Sequence, residues 1–82
     1  MNQKEINESK WLEIGLELIK IDLKSCKLKN MKLVEIHGSL FFKMEDFLGV
    51  IENDLIKKPL GKRLTEYING QLEKIIEERA RN

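Results

Sequence analysis

Residues 31–57, MKLVEIHGSLFFKMEDFLGVIENDLIK, decide how this chain is read. Val34, Phe41, Leu48 and Leu55 recur every seven residues, and His37, Met44 and Ile51 recur with the same period, three residues out of phase. Two such rows form the seam of an amphipathic helix. Leu33, Leu40 and Phe47 widen that seam to a face broad enough to pack against other helices. The spacing predicts one helix over 31–57. Its weak point is Gly38-Ser39, because Gly inside a helix costs about 1 kcal/mol relative to Ala. A helix starting at Ser39 would leave 31–37 as a short strand or turn.

Upstream, Lys10, Glu13, Glu17, Lys20, Lys24 and Lys27 fall at steps of three or four, which makes them one polar stripe of a helix over about 9–27. Leu12, Leu16, Ile19, Leu23 and Cys26 form an apolar stripe, and Trp11, Ile14, Leu18 and Ile21 form a second beside it. Two apolar stripes imply burial over most of the circumference, between other helices. Ser9 is the expected N-cap. Acids early and lysines late suit the helix dipole. Residues 28–31 are the connection, with Asn30 as the cap. Downstream, Pro59 closes the second helix and suits the first turn of a third over about 59–80. There Leu60, Leu64, Tyr67, Ile68, Leu72, Ile75 and Ile76 recur at helical spacing, and Gly70 weakens the middle. Residues 1–8 and 80–82 are expected to fray.

The fold class that follows is all-α: a single domain over 1–82, with three helices in an elongated up-down-up arrangement. A 27-residue helix is about 40 Å long, whereas a compact chain of this length is about 30 Å across. The second helix would overhang, and its unburied apolar end would want a partner. A homodimer is the simplest solution.

The composition limits what such a domain does. Fifteen Lys and Arg against fourteen Asp and Glu give 82 residues a formal net charge of +1, so no strong overall field draws it to nucleic acid or an acidic membrane. Uncharged runs are far shorter than the ~20 residues of a membrane-spanning helix. One cysteine, Cys26, allows no internal disulfide, and a cytoplasmic protein is expected. Catalytic, cofactor and metal sites are not expected. One His and one Cys cannot complete a zinc site. Cys26 reads as a small apolar side chain near a helix C-terminus, and His37 as a residue at the core boundary. The acidic pairs Glu13/Glu17 and Glu77/Glu78 read as solvated faces, and no Gly-rich phosphate loop or paired Cys or His motif is present.

Two binding readings remain. In the first, the chain is a non-enzymatic protein–protein interaction module, a small regulator, adaptor or inhibitor. It would present the apolar face of the second helix, centred on Phe41, Phe42, Met44, Phe47, Leu48 and Ile51, to its own copy and to another protein. Phe42 lies off the seam, so a simple bundle would expose it. In the second, residues 44–63 form a degenerate helix-turn-helix, with Lys57, Lys58, Lys62 and Arg63 on DNA phosphates. Glu45 stands where that motif needs a small residue, Ile51 where it needs a polar cap, and Pro59 would break its recognition helix.

Overall fold

The computed structural model describes residues 7–81. Three helices make up the fold: α1 (Glu8–Leu28), α2 (Leu33–Leu48) and α3 (Asp54–Arg81). The expected fraying at 1–8 and 80–82 falls partly outside the described residues. Glu8 and residues 80–81 are helical.

α1 begins one residue earlier than expected because Asn7, not Ser9, caps it. The Asn7 Oδ1 accepts from the Lys10 backbone N–H at 2.9 Å. α1 ends in a hydrogen-bonded turn. Asn30 N–H donates to the Lys27 carbonyl and Met31 N–H to the Cys26 carbonyl, the double bond pattern of a left-handed helix stop. Asn30 has the φ of +52° that this turn requires, a conformation Asn tolerates better than other residues with a side chain. α2 then starts after Lys32, whose backbone N–H donates to the Glu35 carboxylate at 2.9 Å.

The second helix is continuous through Gly38-Ser39, so the strand over 31–37 is excluded. It does not run to 57, however. It stops at Leu48, and Gly49 to Asn53 form the second connection. Asn53 then caps α3: its side chain accepts from Leu55 N–H at 3.0 Å, and its carbonyl accepts from Ile56 and Lys57. Pro59 therefore lies inside α3. The backbone bond it cannot make would have gone to the Leu55 carbonyl, and Leu55 is exposed. Water can satisfy that group.

Contacts along the helices fix their directions. Gly15 of α1 meets Phe47 of α2, and Asp22 meets Ser39. As the α1 number rises the α2 number falls, so the pair is antiparallel. α2 and α3 are antiparallel too, through Leu48 with Gly61, Met44 with Thr65, and Met31 with Arg79. The arrangement is up-down-up, 50 × 19 × 17 Å. The overhang expected of the second helix is absent, since its 16 residues span about 24 Å. The long element is α3, with 28 residues and about 42 Å.

The core is a single apolar cluster with no buried polar side chain among the described residues. α1 supplies Ile19, Leu23 and Cys26. α3 supplies Leu60, Leu64, Ile68, Leu72 and Ile75, the stripe read from the sequence. α2 supplies Ile36, Leu40, Met44 and Phe47. This α2 row is rotated from the expected seam. Val34 and His37 are exposed, while Ile36, outside the expected rows, is fully buried. Gly15 lets α1 approach closely: a Cβ there would stand 2.8 Å from Phe47 Cε2 and 3.2 Å from Leu64 Cδ1.

Candidate functional site

The apolar groups that the fold leaves uncovered define the candidate site. On α1, Trp11, Ile14, Leu18, Ile21, Ser25 and Leu28 follow one another at alternating steps of three and four. Such steps hold them on one face of the helix. The row lies away from Ile19, Leu23 and Cys26, which face the core. Trp11 is half-buried, its ring 6.0 Å from that of Phe47. Ile14 and Leu18 are each 37% exposed, Ile21 is 65% exposed and Leu28 is 79% exposed. The expectation that α1 is buried on most of its circumference is thus corrected. α2 and α3 both pack on one side of it, and among the described residues nothing else reaches the other.

This row runs beside the α1–α2 seam. Ser39 Oγ donates to Asp22 Oδ2 across the seam at 2.7 Å. Leu18, Ile21, Asp22, Ser25 and Lys43 line a groove of about 250 Å³ there. Phe42 stands three residues from Ser39 on α2, hence on a neighbouring position of that helix, and is 70% exposed. The exposed Phe42 and the α1 row therefore flank the same seam.

The face expected on the second helix is largely withdrawn from solvent. Met44, Phe47 and Ile51 are buried in the chain's own core. Phe41 and Leu48 are partly buried and packed against it. The bundle needs these side chains itself, so only Phe42 of the six stands clear. His37 is exposed, its ring centre 4.7 Å from that of Phe41 and tilted 36° to it. With Leu33, Val34, Leu72 and Ile76 it lines a second apolar groove, of about 440 Å³, between α2 and α3.

The basic residues of the helix-turn-helix reading are spread around the first half of α3. Lys57 is half-buried, and Lys58 and Lys62 are exposed. The Arg63 Nε lies 3.8 Å from Glu8 Oε2. The two helices of that motif cross at ~90–120°, whereas α2 and α3 lie alongside each other for the whole length of α2. Lys20, Lys24 and Lys27 surround Leu23 and Leu28 in a third groove, of about 330 Å³, on α1.

Among the described residues, no group of three or more His, Cys, Asp or Glu side chains could hold a metal ion. No described helix is long and apolar enough to cross a membrane. No protein-family profile, curated protein or solved structure matches this chain.

Proposed function

We propose that this protein is a non-enzymatic helical interaction module and that its docking face is the outer row of α1 together with Phe42. The observation that carries this reading is the spacing of the exposed row. Scattered apolar residues on a surface need no explanation, but Ile14, Leu18, Ile21 and Leu28 are exposed in the regular pattern that another helix would fill. The polar and charged groups support the same reading, since among the described residues they are dispersed over the solvent faces and none is buried. Regulation or inhibition by occupying a partner's surface is the mode of action such a face suits. A cytoplasmic setting, suggested by the single free cysteine Cys26, belongs to the same proposal.

A photo-crosslinking residue at position 21, in living cells, tests the reading, with position 58 as the control. Adducts at 21 that are absent at 58 are expected. The reading fails if position 21 gives no protein adduct above the control.

A further inference from the structure

We propose that the outer row of α1 is covered by α1 of a second copy of this chain, running antiparallel about a two-fold axis between Ile19 and Lys20. The inference rests on the reading that this row is a docking face, and it adds the occupant and the register. In a pair of antiparallel helices, each residue of one seam position faces the other seam position of the partner. Here Leu18 faces Ile21 of the second copy and Ile21 faces its Leu18. Ile14 faces Ser25, and Trp11 faces Leu28, with the reverse pairs generated by the two-fold. The pairing is self-complementary, as a closed dimer demands.

Charge selects this register. Glu17 and Lys24, both exposed, flank the row on one side, seven residues apart. In the antiparallel register above, Glu17 stands opposite Lys24 of the second copy and Lys24 opposite its Glu17. Slipping by seven residues one way puts Glu17 opposite Glu17 and Lys10 opposite Lys24. Slipping the other way puts Lys24 opposite Lys24 and Asp22 opposite Asp22. A parallel pair sets Glu17 against Asp22 and Lys24 against Lys29. Like charges flanking a helix seam set register and orientation by exclusion, and one arrangement of these four avoids them. Phe42 adds a separate observation. The Ser39–Asp22 bond and the groove shared by Lys43, Leu18 and Ile21 place it level with the middle of the row. It therefore stands beside the proposed two-fold axis, where the apolar surfaces of both copies meet.

Light scattering and sedimentation equilibrium on the full chain, over a concentration series, test the pairing. The mass is expected to rise from 9.7 kDa to twice that value. Ile21→Lys is expected to weaken association at least about tenfold, a change of one decade in Kd, with unchanged helicity. Glu17→Lys and Lys24→Glu are each expected to weaken it several-fold, and the double variant to restore it. Circular dichroism melts at low concentration show whether each variant keeps its fold. A chain that stays at 9.7 kDa up to millimolar concentration overturns the proposal. So does a double variant no better than the worse single one. Crosslinks from position 21 separate the two levels. Adducts of doubled mass support the second copy. Adducts only to a different protein overturn it while leaving the docking face standing, and no adduct overturns both.

Discussion

α1 and α2 differ in how the fold uses their apolar surface. α2 spends it inward: Ile36, Leu40, Met44 and Phe47 are buried against its two neighbours, and of its larger apolar side chains Val34 and Phe42 stay exposed. α1 carries a buried row of the same kind and then a second row that none of the described residues covers. The difference is geometric. In a three-helix arrangement each helix has two neighbours, and both lie on the same side of it. An apolar row on that side is core, and a row on the far side is surface, however similar the two look in sequence.

The largest effect should separate the two rows most plainly. Ile36→Ala should cost about 2–5 kcal/mol, because it empties a fully packed site. Ile21→Ala, the same change on the outer row, should stay within about 0.5 kcal/mol. Urea denaturation at low concentration measures both, and equal losses would break the distinction.

Gly15→Ala probes the contact that brings the buried side of α1 against α2 and α3. The new methyl would press on Phe47 and Leu64, at a cost of about 1–3 kcal/mol. Thermal unfolding reads it, and an unchanged midpoint would mean that the helices stand further apart than described. Ser39→Ala removes the side-chain bond to Asp22 across the α1–α2 seam and should cost about 1 kcal/mol. With Asp22→Asn in a double-mutant cycle, the two changes should prove non-additive. The smallest effect has the opposite sign. Gly38 sits inside α2 with open space where a Cβ would go, so Gly38→Ala should stabilise the protein by about 0.5–1 kcal/mol.

Much of this was legible in the sequence. The core stripe of α3 and both rows of α1 follow from spacing alone. The end of α2 did not follow, because the seven-residue recurrence continues in the sequence through Gly49 to Leu55 while the helix stops at Leu48. The stop was signalled by Asn53-Asp54, a capping residue followed by an acid, but Pro59 offered a stronger marker six residues too late. The same recurrence set the phase of α2 wrongly and hid Ile36. The candidate face was visible as the second row of α1, but its exposure depends on which side α2 and α3 occupy. No local pattern reports that choice. Gly15 was equally silent, since its role depends on Phe47 and Leu64, which are distant in sequence.

The Asn30 and Asn53 turns carry a further consequence. Each closes a hairpin between helices that are consecutive in the chain, so the contacts of α2 with each partner start beside the turn and spread outward from it. Chains whose contacts are mostly local lose little entropy before those contacts reward them, and they fold in microseconds to milliseconds. The two hairpins place the packing of α1 on α2 and of α2 on α3 in that local class, while the contacts of α1 with α3 close only across the whole of α2.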